Sequence, residues 1–215
     1  MQKFQRISIL LILFFFDISL PSTVFSSQFV TVQSLKEDLR SKDFDRIEES
    51  LSNVKRKSYK GHILPFIQDL WDQRKDKYPD LPWDVMEYDI VRVQLADILG
   101  QAVRNARIRM DVKPIHNFLV SLIDSTDRDV SRKALGALSM IGDETDVEKI
   151  FSVAKRMDRG TFRISVLTLT MMCNEKAARA VAKLEALVTN PDLRSFIIES
   201  RRDSEDFKKN SGWCN

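Results

Sequence analysis

Four sets of side chains in this sequence have the types or the spacing that chemistry needs. The first is the histidines, of which there are only two, His62 and His116. Neither has further nitrogen, thiolate or carboxylate ligands at the spacing of a metal site, so no metal and no cofactor is expected. His62 follows a glycine at a helix start, and His116 lies in a helical run beside Pro114, Asn117 and Phe118. Both are read as solvated or core-edge histidines. The second set is Cys173 and Cys214, the only cysteines. They allow one intramolecular disulfide, which would staple the C-terminal tail to a helix; the alternative is two unpaired thiols. Cys173 lies in an apolar segment, where thiols are usually inert, so it is a poor nucleophile. Gly136 and Gly142 sit within or at the end of a helical run and form no phosphate-binding loop. No catalytic residues assemble from these parts, and the chain is not expected to be an enzyme.

The third set is a column of arginines, Arg92, Arg132, Arg163 and Arg194. One account makes it a basic stripe that grips an acidic ligand. The account the regular spacing favours is a structural ladder, each arginine bonding an aspartate (Asp127 or Asp158, for example) or a carbonyl at a neighbouring turn. The fourth set is "DKYPDLPWDVMEYD", Asp76 to Asp89, with five acids, one lysine, two prolines, two tyrosines and a tryptophan. Pro79 and Pro82 forbid a continuous helix there. Trp and Tyr are enriched among interface anchors, and loops on a rigid scaffold often carry binding. Tyr78, Asp80, Trp83, Asp84, Glu87 and Tyr88 are therefore the candidate partner-binding residues. The competing role for Tyr78, Trp83 and Tyr88 is to cover a seam between two parts of the fold.

The elements that must position these residues follow a period. Shifting "DRDVSRKALGALSMIGDETDVEKI" (Asp127–Ile150) by 31 residues places Arg132 on Arg163, Leu138 on Leu169, Met140 on Met171, Asp127 on Asp158 and Ile150 on Val181. A second shift of 31 places Arg163 on Arg194, Phe162 on Leu193 and Val166 on Ile197. "IVRVQLADILG" (Ile90–Gly100) repeats the shape with a looser register. Each unit reads as two helices joined by a short polar turn. "ISVLTLTMM" (Ile164–Met172) has the composition of a strand, but its counterpart "KALGALSMI" is helical, and the register predicts helix. Upstream, "TVQSLKEDLRS", "DFDRIEESLSNV" and "GHILPFIQDLWDQRK" place apolar residues three and four apart, as amphipathic helices do.

With Val130, Arg132, Leu138 and Ile141-Gly142-Asp143 in place, the unit resembles a HEAT repeat of the short, phycobilin-lyase type. Val91-Arg92 keeps that pattern's adjacent Val-Arg pair, while the third unit has Cys173 and Asn174 where the second has Gly142 and Asp143. The resemblance covers Met86 to Arg202. It implies an all-α fold, an α-solenoid of about four to five helical hairpins behind an N-terminal helical cap. It also carries the alternative function, a ligand-binding lyase or chaperone. The His-Glu pairs used by some metal hydroxylases of HEAT type are missing from both histidines.

The N-terminus adds a compartment. Lys3 and Arg6 precede the apolar run Ile7–Phe16, and Val24-Phe25-Ser26 offers a cleavage site after Ser26. That is the pattern of a secretory signal peptide, so the chain is expected to be secreted or periplasmic. Asp17 ends the run well short of the ~20 apolar residues of a spanning helix, so no stable membrane anchor is expected after cleavage. The expected segments are 1–26 (signal), 27–85 (helical cap or degenerate repeats, with the Pro/aromatic loop), 86–204 (HEAT-like repeats) and 205–215 (tail). The part after Ser26 carries 32 basic and 30 acidic residues, a balance that argues against nucleic acid as partner. The function expected from all this is an exported scaffold that binds another protein. A narrower form is an immunity protein or inhibitor that neutralises a toxin or enzyme in the cell envelope.

Overall fold

The computed structural model describes residues 30–56, 63–105, 108–156, 158–211 and 213–214. The expected signal peptide and His62 lie outside the described residues. Among the described residues there are ten α-helices, one short 3-10 turn and no strand. The helices are α1 (Val32–Ser41), α2 (Phe44–Arg56), α3 (Ile63–Trp71), α4 (Asp89–Arg104) and α5 (Lys113–Leu122), then α6 (Arg128–Ile141), α7 (Val147–Arg156), α8 (Arg159–Met171), α9 (Glu175–Leu187) and α10 (Pro191–Ser211). The 3-10 turn, Val85–Glu87, lies between α3 and α4.

Short polar side chains start these helices by accepting the N–H groups that the first turn leaves unpaired. Thr31 and Ser34 cap α1 reciprocally. The Asp43 carboxylate accepts from the N–H groups of Asp45 and Arg46 at α2. Asp127 caps α6 and Asp158 caps α8, 31 residues apart, each accepting from the second and third residue beyond it. Asn190 does the same for α10, and Asn174 caps α9 by accepting from the Ala177 N–H. The β-branched segment 164–171 is helical, as the register predicts. Its hydroxyls are satisfied within the helix layer: Thr168 Oγ1 donates to the carbonyls of Ile164 and Leu135, and Ser165 Oγ to Thr161. Local β propensity gives way because Val166 and Leu169 are buried between neighbouring helices.

Helices α2, α4, α6, α8 and α10 pack in series, each against the next. They run in one direction. Phe44 meets Tyr88 at the starts of α2 and α4, and Lys55 meets Asp97 at 2.5 Å further along both. Arg132 meets Asp158 near the starts of α6 and α8, and Leu135 meets Thr168 one turn on. The remaining helices lie against this series, α3 on α4, α5 on α6, and α7 on α8 and α9. The core runs through the described chain from Leu35 and Ile47 through Leu99 and Leu138 to Ile197.

Gly142 ends α6 where three elements converge. A Cβ there would lie 2.6 Å from the Leu138 carbonyl oxygen and 2.6 Å from Met172 Cε. The carbonyl belongs to the backbone and cannot swing aside. Gly142→Ala is therefore expected to destabilise the fold by about 1–2 kcal/mol, read as a lower urea midpoint; an unchanged midpoint would count against this packing.

At the far end of the chain, Cys173 and Cys214 are joined by a disulfide with a Cα–Cα distance of 5.4 Å. The tail it holds covers the C-terminal end of α8. Trp213 Nε1 donates to the Met171 carbonyl at 3.0 Å, and Lys208 Nζ to that of Met172 at 2.8 Å. Burial pulls the Lys208 ammonium below its ordinary pKa. The Arg104 guanidinium lies over the Trp213 ring and donates to its carbonyl. No helix among the described residues is long and apolar enough to cross a membrane.

Candidate functional site

The segment between α3 and α4 is built around Asp69, a mostly buried carboxylate on α3. It accepts from Lys77 Nζ at 2.8 Å and from the Tyr78 hydroxyl at 3.1 Å. Burial, and then that bond to a carboxylate, push the Tyr78 hydroxyl above its ordinary pKa. The Tyr78 ring packs edge-on against Phe66, with Lys36 Nζ 4.6 Å above it. Trp83 Nε1 donates to the Tyr78 carbonyl at 2.9 Å. Leu81, Val85 and Met86 are buried beneath. Arg74 clasps Asp76 through two parallel bonds at the segment's start.

The six candidate residues thus divide. Tyr78 and Trp83 are half-buried and hold the segment together, whereas Asp80, Asp84, Glu87 and Tyr88 are exposed. Asp84 pairs with Lys42 at 2.7 Å, and that bond holds its carboxyl below the ordinary carboxylate range. Tyr88 is 53% exposed and packs edge-on, at 4.8 Å between centroids, against Phe44, itself 40% exposed. Phe44 is the residue that sequence reasoning missed. It stands three and seven residues before Ile47 and Leu51 on α2, so it continues their apolar stripe and reads from sequence as core. Beside it, Asp45, Glu48, Glu49, Ser52 and Asn53 line an open recess of about 400 Å³, and Lys133 of α6 reaches Glu48.

This division has a direct consequence. Trp83→Ala is expected to destabilise by about 2 kcal/mol, because it removes packing and a half-buried hydrogen bond. Tyr88→Ala is expected to leave stability within about 0.5 kcal/mol. Thermal unfolding of the two variants checks the contrast, and equal losses would place Tyr88 in the packing as well.

The arginine column does not make one uniform ladder. Arg132 Nη2 donates to Asp158 Oδ1 at 2.7 Å, bridging α6 to the cap of α8. Arg194 is exposed and turns back to the Val188 carbonyl at 3.0 Å. Arg92 and Arg163 face aromatic rings instead. The Arg92 guanidinium lies 4.5 Å from the Trp71 centroid and 5.2 Å from that of Phe118, and Arg163 lies 5.1 Å from that of Phe196. Buried nitrogens of both have no hydrogen-bond partner, and desolvation lowers the Arg92 pKa. The register puts an arginine at each position, but the helices packed beside it decide whether it meets a carboxylate or a ring.

His116 also has partners that spacing did not anticipate. Its Nε2 lies 2.7 Å from Oδ2 of the buried Asp146, which accepts from the Asp143 N–H at 2.9 Å as well. The Asp143 carboxylate accepts from the N–H and hydroxyl of Thr145. One ligand atom from each of His116, Asp143 and Asp146 falls within 4.8 Å of the others. These bonds tie α5 to the α6–α7 turn, and a cation would have to break the contact between His116 and Asp146. A second cavity, of about 350 Å³, lies under the disulfide between Thr170, Asn174, Arg201, Ser204 and Lys208.

Compared with protein-family models, with curated proteins and with solved structures, the chain matches none.

Proposed function

We propose that the chain is an exported helical-repeat scaffold that binds another protein through the surface at residues 80–89. The observation that carries this is the Phe44–Tyr88 pair, two exposed aromatic rings fixed at helix starts and bordered by carboxylates. Large aromatic side chains of limited rotamer freedom are the residues that most often dominate interface energies. The parallel series of α4, α6 and α8, with Asp127 and Asp158 capping at the repeat spacing, supports a HEAT-like α-solenoid behind an N-terminal cap. The Cys173–Cys214 bond supports an oxidising compartment and hence export. An immunity or inhibitor role toward a toxin or enzyme in the cell envelope is the narrower form of this proposal. Affinity capture from the producing cell's own envelope tests it. A stoichiometric protein partner, lost with Phe44→Ala/Tyr88→Ala, is the expected result. A bound small ligand without a protein would favour the lyase or chaperone alternative instead.

A further inference from the structure

The described residues contain four aromatic pairs, and three of them carry a cation of this chain. Lys36 lies over Phe66 and Tyr78, at 5.4 and 4.6 Å from the centroids. Arg92 lies over Trp71 and Phe118. Arg104 lies over Trp213, which packs against Phe207. The fourth pair, Phe44–Tyr88, is exposed on both rings and has no cation of the described residues over it. A positive charge over an aromatic face is attracted by the ring quadrupole, more strongly once water is excluded.

The charges around the fourth pair have the matching sign. Asp45 follows Phe44, and Glu87 and Asp89 flank Tyr88, with Glu49 one turn along α2. None of these four carboxylates makes an ion pair among the described residues. The nearest cations are already engaged, Lys42 with Asp84, Arg46 with Asp38, Lys133 with Glu48, and Arg92 with the Trp71 and Phe118 rings, from where it also feels the charge of Asp89. The chain as a whole is net positive, at +3, so this negative surface is a local segregation of charge. The rings are also held. The Tyr88 carbonyl accepts from the N–H groups of Val91 and Arg92, both at 3.0 Å, and Phe44 stands in the first turn fixed by Asp43. Little conformational freedom remains to be lost on binding.

Resting on the protein-partner proposal above, we infer that the partner inserts an arginine or lysine, carried beside an apolar side chain, over the Phe44–Tyr88 pair. The surrounding carboxylates bond the charged head, and the apolar neighbour covers the ring edges. The surface therefore selects a basic segment of a partner protein. Charge complementarity excludes an acidic segment, which would bring like charges together without a counter-ion.

The test titrates a fluorescent peptide of arginine, leucine and glycine into the purified, oxidised chain, with a glutamate-for-arginine peptide as control. The basic peptide is expected to bind, to broaden the Tyr88 ring signals in NMR spectra, and to weaken about tenfold as salt rises from roughly 50 to roughly 500 mM. Phe44→Ala/Tyr88→Ala and, separately, Glu87→Lys/Asp89→Lys are each expected to weaken it about tenfold. Tyr88→Phe keeps the ring and should bind as the parent does, and helical circular dichroism shows that each variant is folded. Equal binding of the acidic peptide, or unchanged binding by both double variants, would overturn the inference. A protein partner captured from the envelope that ignores both salt and these variants would overturn the basic-segment inference while leaving the scaffold proposal standing. Absence of any protein partner would overturn the scaffold proposal itself.

Discussion

Removing the Cys173–Cys214 bond, by reduction or by serine at both positions, is expected to cost about 3–4 kcal/mol of stability. The bond closes a loop with a sequence separation of 41 residues. The chain-entropy relation gives about 4 kcal/mol for a loop of that size, and measured values often fall below it. The loop holds α9, α10 and the tail, and α10 packs mainly on α8 with a lesser contact to α9. The docking of α10 and the tail therefore depends more on the cross-link than that of an interior helix would. Without the bond, Trp213 and Lys208 still have the α8 carbonyls as partners, but the tail must be ordered by these contacts alone. Urea unfolding with and without a thiol reductant measures the difference. Hydrogen exchange should show faster opening in α9 and α10 and little change in α4 or α6. A midpoint that does not move on reduction would show that the tail is held without the bond.

Asp158→Ala is expected to cost about 2–4 kcal/mol. The side chain caps α8 through the N–H groups of Gly160 and Thr161, accepts the Thr161 hydroxyl, and is the partner of Arg132. Loss of an N-cap costs roughly 1 kcal/mol. The rest comes from Arg132, which is left half-buried with only the exposed Asp129, 3.7 Å away, as a carboxylate partner and whose Nε already has no partner. The same contacts make the site sensitive to acid. The Arg132 guanidinium first, and then the bonds from Thr161 and Gly160, hold the Asp158 carboxyl well below its ordinary value of 3.8. A carboxyl with a lower pKa in the folded state contributes stability that is full above its unfolded value and is lost as pH falls below it. The parent chain should therefore lose stability from about pH 4 downward, and Arg132→Met should flatten that slope. Denaturant midpoints collected from about pH 6 to about pH 2 would show it. Identical slopes in both proteins would place the acid sensitivity elsewhere.

Much of the helix layout was legible because it is written locally. Asp127, Asp158 and Asn174 stand where a helix must begin, and the 31-residue register carried the β-branched segment 164–171 to its helical state. What the sequence did not disclose depends on residues far apart in the chain. Tyr88 could be named as a candidate from its segment, but its partner Phe44 lies on another helix and becomes visible only when α2 packs on α4. His116 and Asp146 are brought together the same way, across the α5–α6 contact. The arginine column illustrates the difference most directly. Periodicity located all four residues, yet it could not say that Trp71 and Phe118 would meet Arg92 while a carboxylate would meet Arg132. A period fixes which residues share a face; the identity of what faces them is set by the neighbouring helices.

The central proposal is that a protein partner docks on the Phe44–Tyr88 surface. Its most direct test is titration calorimetry of the envelope-captured partner against the parent chain and against Tyr88→Ala. Because Tyr88 is exposed, its truncation leaves the fold intact, and the account predicts binding at least about tenfold weaker, or about 1.4 kcal/mol. Equal affinities for the two chains would contradict it.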